Sequence, residues 1–402
     1  MGLAIGNLTG RIEDACAFRL CGKLLSRKGT MFRRISRFGA ALLLLLAGAA
    51  AGPRTELQPG VWAGRDVNTL PLPVSGYQVY LLGEIHGVRE IEGILIQYLA
   101  RLYSGTGLRD VAIEEDAVYQ FDAQAYVEGR SSALPEQLCL RAGVIQAIRR
   151  FNEGREKNEL IRVHLVDIDS PATAIRQHLL AIKERVAGTA AVRVPDERDI
   201  KEHGLETVAD LKRLTADEQI LSELRTVHHS IRAYHQGLEV GTGEFKGSPY
   251  LDDREQAIAS NIRDLLHNPD CRAVLALYGS DHVSKARRKD GGAKRDRDFS
   301  PLALRLEQVG IRVFSLVTFP LSGRSRWRGH ESEFLWSAKD GSLADGKTLD
   351  QVLSAVPEAT LLYVDPRRQR IRLPSRDITA FVVDAFLLLT SATAMENHCA
   401  TR

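Results

Sequence analysis

The sequence predicts an α/β fold: a mostly parallel central sheet flanked by helices, with a helical insertion at about 195–245 over the strand ends. Three observations carry this reading. From residue 77 onward, short apolar runs alternate with stretches of helical period, the arrangement of strands joined by crossover helices. Four of those apolar runs break at ionisable residues. Residues 195–245 instead place Leu205, Val208, Leu211, Leu221, Leu224, Val227 and Ile231 at helical spacing among many charges, with no strand run.

Taken in order, the first strand (77–83) contains Val79-Tyr80-Leu81-Leu82 and gives way to Gly83-Glu84-Ile85-His86-Gly87, where glycine on both sides permits a sharp turn and leaves room for a ligand. A helix follows with Val88, Ile91, Ile94, Leu95, Tyr98, Leu99 and Leu102 on one face. Val111-Ala112-Ile113 forms the second strand and stops at Glu114-Glu115-Asp116. A helix with Val118, Phe121 and Ala125 and another at about 141–152 lead to the third strand, Ile161 to Val166, which ends at Asp167 and Asp169. Ser170 and Pro171 read as the cap and first position of the next helix. After the insertion and its exit Gly241-Thr242-Gly243, Asp252 or Asp253 is expected to cap a helix with Ala257, Ile258, Ile262, Leu265 and Leu266 inward. The strand Ala273 to Leu277 then breaks at Gly279-Ser280-Asp281-His282. A helix at 302–309 and apolar runs at 313–317, 361–364 and 381–389 complete the pattern.

The first 51 residues read differently. Arg33, Arg34 and Arg37 precede Ala40 to Leu46, and Ala49-Ala50-Ala51 follows, which is the order of a secretory signal peptide. Met31 starts that pattern, so residues 1–30 read as an upstream extension or a long basic flank. The expected organisation is therefore an N-terminal extension and signal peptide at 1–51 and a single α/β domain at 52–402 with a helical lid at 195–245, periplasmic or secreted after cleavage. The apolar runs at 40–46 and 381–389 fall short of the roughly 20 residues a bilayer span requires, so no stable membrane span is expected in the mature chain.

With 402 residues, the chain buries about three quarters of its unfolded surface, and its core needs no staple. Fifty-four basic residues against 51 acidic ones give a formal charge of +3, which makes no case for nucleic acid as a partner. The basic stretch from Lys285 to Arg297 is interrupted by Asp290, Gly291, Gly292 and Asp296 and lacks aromatics, so it reads as a solvated loop. Beyond the leader, Cys139, Cys271 and Cys399 are widely spaced and odd in number, neither a disulfide framework nor a zinc site.

The chemistry is concentrated at the strand ends. Glu84 with His86, Glu114 with Glu115, Asp167 with Asp169, and His282 all follow strands that a parallel sheet would end on one edge, where α/β proteins bind ligands. Arg254 lies four and eight positions before Ile258 and Ile262, on the inward stripe of a helix whose N-terminal end must reach the same edge. There it either pairs with a carboxylate or meets an anionic ligand. Glu114 and Glu115 face opposite ways, and the sequence leaves open which one points inward. Two mechanisms fit. His86 or His282 acts as general base toward water, oriented by Glu84 or Glu114, with Arg254 stabilising an oxyanion. Alternatively His86, Glu114 and His282 hold a divalent metal that acidifies a water.

These residues together resemble the erythromycin esterase-like, ChaN-like and Tiki superfamily, from about residue 78 to 392. Leu81 to Glu90 resembles its opening G-E-x-x-H-G-x-x-E block and Val111 to Glu114 its second. Asp253-Arg254-Glu255 to Ile262 resembles the arginine-bearing helix, Gly279 to Val283 the last histidine block, and Phe381 to Ala394 the closing strand. The resemblance implies an α/β fold with a helical insertion and a catalytic site at Glu84, His86, Glu114, Arg254 and His282. One residue separates Glu84 from His86, as in the ChaN-like branch, rather than the two of the macrolide esterases. The resemblance implies an exported hydrolase of an ester or amide with a small-molecule substrate. ChaN-like relatives imply instead haem or metal binding without catalysis, and Tiki-like relatives metal-dependent peptide cleavage.

Overall fold

The computed structural model describes residues 55–168, 172–235, 248–290, 297–327, 330–334, 340–373 and 381–396. The expected leader, the Ser170-Pro171 cap, the Gly241–Gly243 exit and the middle of the basic stretch lie outside the described residues.

The chain opens with β1 (Thr55–Gln58) and β2 (Val61–Gly64), then runs through β3 (Val79–Glu84), α1 (Glu90–Thr106), β4 (Asp110–Asp116), α2 (Gln120–Val127), α3 (Ala142–Asn152) and β5 (Arg162–Asp167). Four helices follow, α4 (Ala172–Arg185), α5 (Ile200–Leu214), α6 (Glu218–His235) and α7 (Ser248–His267), before β6 (Val274–Gly279). Next come β7 (Arg288–Asp290), β8 (Arg297–Phe299), α8 (Leu302–Gln308), β9 (Val313–Pro320) and the hairpin of β10 (Gly323–Trp327) and β11 (His330–Phe334). β12 (Ser342–Leu343), α9 (Leu349–Ser354), β13 (Leu361–Val364), β14 (Ile371–Arg372) and β15 (Ala385–Leu389) close it.

Nine strands form one sheet in the order β1-β2-β13-β15-β9-β3-β6-β4-β5. Every pairing from β15 to β5 is parallel. β1, β2 and β13 add an antiparallel edge that joins β15 antiparallel. The fold is thus the α/β architecture expected, a mostly parallel sheet. β3, β6 and β9 are buried at every residue, so their apolar runs feed both faces. Side chains of α1 and α3 pack on one face of the sheet and those of α7, α8 and α9 on the other. α1 buries its predicted stripe from Ile91 to Leu102 and ends at Gly107, whose φ of +70° lets its N–H bond Tyr103.

β5 is the open edge of the parallel half. Gln120 and Gln124 of α2 occupy its ladder: Gln120 donates to the Val163 carbonyl and accepts from Leu165 N–H, and Gln124 accepts from Val163 N–H. Side-chain amides thereby take the place of a further strand and blunt the edge.

One expectation needs correction. α7 begins at Ser248, so Asp252 and Asp253 lie inside it and do not cap it. Asp252 instead accepts the Ser300 N–H at 2.9 Å and contacts Arg305. The described part of the helical insertion reaches the strand ends through Ala233 of α6, which shares a buried cluster with Ile168, Leu251 and Phe299. α5 and α6 share an apolar core with α4, through Ile175, Leu179, Ile182, Val208, Leu211, Leu224 and Ile231. α6 meets α7 where Thr226 bonds Asn261, Arg225 bonds Asp264 and Arg232 lies 3.6 Å from Asp253, so its C-terminal end comes beside Arg254. Cys271 is a free, half-buried thiol ahead of β6, pushed up to about 12 chiefly by burial.

Candidate active site

Parallel pairing puts the carboxyl ends of β3, β6, β4 and β5 side by side, and the predicted residues converge there. Glu84 is the last residue of β3, Glu114 lies near the end of β4, Asp167 ends β5, and His282 sits in the short turn after β6. α7 runs back along the sheet, so Arg254 in its second turn reaches the same rim. Glu84, His86, Glu114, Arg254 and His282 all line one cavity of about 310 Å³ together with Ile85, Leu251, Gly279, Ser280, Asp281 and Phe299. No residue of 200–235 lines it.

Glycine shapes the floor. A Cβ on Gly279 would lie 3.0 Å from His86 Nε2 and 3.4 Å from Glu114 Oε2, so its absence lets both approach. Gly87 has φ of +83°, and a Cβ there would lie 2.2 Å from the Arg326 carbonyl. β10 can press against the loop after β3 only because that position is glycine.

His86 is the residue open to the cavity. Its Nδ1 lies 2.8 Å from Glu84 Oε1, and its Nε2 is 3.9 Å from Glu114 Oε2, beyond hydrogen-bond distance. The carboxylate fixes the proton on Nδ1 and leaves Nε2 as an acceptor. Arg141 Nη2 is also 3.3 Å from Nδ1, but the shorter contact to Glu84 decides the tautomer. The side chain is 30% exposed, whereas Glu84 is 1% exposed. Burial opposes ionisation of Glu84, yet the Arg141 charge and the His86 bond outweigh it and hold its carboxyl below the usual range.

Glu114, not Glu115, faces the site. Arg254 Nη2 donates to its Oε1 at 2.8 Å, His282 Nε2 lies 3.2 Å from the same oxygen, and Gly279 N–H donates to Oε2 at 2.6 Å. Against a burial penalty, the charge and hydrogen bond of His282, with His86 and Arg254, hold Glu114 well below the usual range. Glu115 points to Arg141 Nε, 3.8 Å away. Burial pushes it up to about 8; Arg141 opposes this, while Asp167, Glu114 and Asp116 add to it.

Arg254 is committed to carboxylates. Its Nε donates to Asp167 Oδ1 at 2.8 Å and its Nη2 reaches Asp167 Oδ2 as well as Glu114. Of the two roles the sequence allowed, the geometry selects carboxylate pairing, and the expected oxyanion contact from these two nitrogens is not available. His282 is enclosed in the same way, with Glu114 at Nε2 and the fully buried Glu255 against Nδ1. Burial alone would lower its pKa, but the two carboxylates raise it to about 10. At neutral pH His282 is therefore an imidazolium that braces Glu114, and His86 is the imidazole with a nitrogen open to the cavity.

Three residues of the site were missed. Arg141 stands between a 3-10 turn (Glu136–Arg141) and α3, is 2% exposed in its side chain, and touches Glu84, Glu114, Glu115 and His86. A signal existed: it is the one charge in the run Leu138 to Ile145. Glu255 lies three and seven positions before Ile258 and Ile262, on the inward stripe beside Arg254. Trp327, stacked on His86, has no local signal at all.

The donor set does not suit a divalent metal. Each carboxylate and imidazole the sequence offered as a ligand already faces a guanidinium or another member of the cluster, and Arg141 and Arg254 place two fixed positive charges where a cation would sit. Among the described residues, no group of three or more His, Cys, Asp or Glu side chains is arranged to hold a metal ion. Nor does a 310 Å³ cavity in which six ionisable side chains outnumber the three apolar ones, Ile85, Leu251 and Phe299, offer the apolar slot of a haem ring.

The pKa directions make a stability prediction. Glu115 has a folded value of about 8 against 4.5 unfolded, so the stability its neutral form contributes is full below pH 4.5 and lost as pH rises to 8. His282 acts in the same direction between 6.5 and about 10. Melting temperature is thus expected to fall from pH 6.5 to 10. Glu115→Gln, which cannot ionise, is expected to gain about 2–4 kcal/mol over the wild type at pH 8 and nothing near pH 4, read by denaturant unfolding.

The sheet order and its flanking helices define an α/β protein with the fold of an erythromycin esterase. Among solved structures, the chain superposes on a protein from Bacillus cereus with a TM-score of 0.57 and 12% identity, covering 81% of this chain and 91% of that one. A succinoglycan biosynthesis protein matches with a TM-score of 0.56 and 14% identity over 80% of this chain and 89% of that one. A mutant of the erythromycin esterase EreC in its open conformation matches with a TM-score of 0.56 and 15% identity over 86% of this chain and 98% of that one. No protein-family profile matches the chain, and no curated protein matches its sequence. At this identity the likeness establishes the fold alone.

Proposed function

We propose that this chain is a hydrolase of an ester or amide bond, in which His86 activates water. The observation that carries the reading is the state of His86: Nδ1 is held by a buried carboxylate, and Nε2 opens onto the cavity beside Glu114 Oε2. A water on the cavity side of these two atoms would give its proton to Nε2 as its oxygen attacks a carbonyl carbon. The imidazolium, stabilised by Glu84, would then return the proton to the departing oxygen or nitrogen. Arg254, His282 and Arg141 serve by holding Glu84 and Glu114 ionised and in place. The shared fold with an erythromycin esterase supports hydrolysis, while the apolar wall of Ile85, Leu251 and Phe299 fits a small acyl or alkyl group beside the scissile bond.

We further propose export, on the strength of the leader at 1–51. Mass spectrometry of the protein from the periplasm or medium is expected to give a mature start near residue 52; a chain beginning at Met1 or Met31 in the cytoplasm overturns it. For the activity, a panel of p-nitrophenyl esters and p-nitroanilides is the test. Turnover by wild type that His86→Gln lacks supports the reading, and no turnover across the panel counts against it.

A further inference from the structure

The strand β10 arrives at the site from 240 residues downstream of His86, and its fixation there is unusually specific. Arg326 N–H donates to the Gly87 carbonyl at 2.9 Å, one residue from His86. Arg324 N–H bonds the Ala392 carbonyl at 3.0 Å, and Gly323, with φ of +104°, leaves 2.0 Å between a Cβ and that same carbonyl oxygen. Two glycines at which a side chain is sterically barred thus lock the ribbon, Gly87 against the loop after β3 and Gly323 against the segment after β15. The next residue, Trp327, lies flat on the imidazole: the ring centroids are 4.4 Å apart and the planes 18° from parallel. Arg141 Cζ lies 5.1 Å from the same indole.

We propose that Trp327 is a positioning residue for His86, fixing the plane of the imidazole so that Nε2 keeps its aim into the cavity. The inference rests on the hydrolase reading for its consequence, though not for its geometry. A single hydrogen bond at Nδ1 fixes a direction and leaves the ring free to swing about that axis. Here the bond also has a competitor, since Arg141 Nη2 is 3.3 Å from the same nitrogen. The indole removes that freedom by covering one face of the ring, and offset stacking of this kind is favourable in itself. General-base efficiency depends steeply on such aim, because a misplaced base spends most of its time out of reach of the water.

Three proteins decide it: wild type, Trp327→Phe and Trp327→Ala, with His86→Gln as the reference. With histidine labelled in 15N, the His86 resonances are identified by their loss in His86→Gln. The expected result is one sharp set of His86 ring-nitrogen signals in wild type and Trp327→Phe, shifted and broadened in Trp327→Ala as the ring samples several orientations. On p-nitrophenyl esters, Trp327→Ala is expected to lose about tenfold in kcat with KM nearly unchanged, and Trp327→Phe to recover most of it. Unchanged His86 shifts in a folded Trp327→Ala overturn the proposal, as does a loss confined to KM. If wild type and His86→Gln hydrolyse esters equally, the hydrolase reading fails, and the nitrogen shifts still decide what Trp327 does.

Discussion

Replacing His86 by glutamine is expected to lower kcat/KM by about 10²–10⁴-fold, the range a positioned general base contributes. Stability should change by less than about 1 kcal/mol, because the ring is 30% exposed and sits at the mouth of the cavity. His282→Ala contrasts with it. That imidazolium is enclosed by Glu114 and the fully buried Glu255, so its removal leaves carboxylates without their counter-charge and costs folding as well as turnover. Kinetics and denaturant midpoints measured on both variants separate the two histidines. Equal stability losses would contradict the assignment of His86 as the open base and His282 as the brace.

The second large effect belongs to Arg141. Its guanidinium is 2% exposed and faces three carboxylates, with Glu84 in direct contact and Glu114 and Glu115 at 3.9 and 3.8 Å. Breaking a buried ion pair by removing one partner typically costs about 3–5 kcal/mol, since the remaining charge is left uncompensated. Arg141→Met is expected to fall in that range by urea unfolding. Adding Glu84→Gln should return part of the loss, because the double variant no longer buries a bare carboxylate; strictly additive losses would show that the two residues are not coupled. Arg141→Lys should fold better than Arg141→Met yet remain impaired, as an ammonium cannot span several carboxylates with a planar fork.

How much of this was legible in the sequence follows from the range of the forces involved. The parallel strands could be read because each is a local apolar run bounded by glycine or charge, as in Val79 to Gly83 and Ala273 to Gly279. The antiparallel edge could not, since β1 and β2 are four residues each and join the sheet only through the pairing of β2 with β13, about 300 residues away. The five site residues were legible through topology: parallel strands must end on one rim, and an arginine on an inward stripe must end near it. Their partners were not. Nothing local says that Arg254 would choose Asp167 and Glu114, or that both ring nitrogens of His282 would face carboxylates. Trp327 is the extreme case, with its position set by Gly87 and Gly323 against backbone atoms far from each in the chain.

The most direct test of the central claim is hydrolysis in 18O-labelled water by protein treated with a chelator. Activation of water by His86 without metal predicts turnover that survives chelation, is lost in His86→Gln, and places one 18O atom in the released acid. Turnover that disappears on chelation and returns with added zinc or manganese would contradict it.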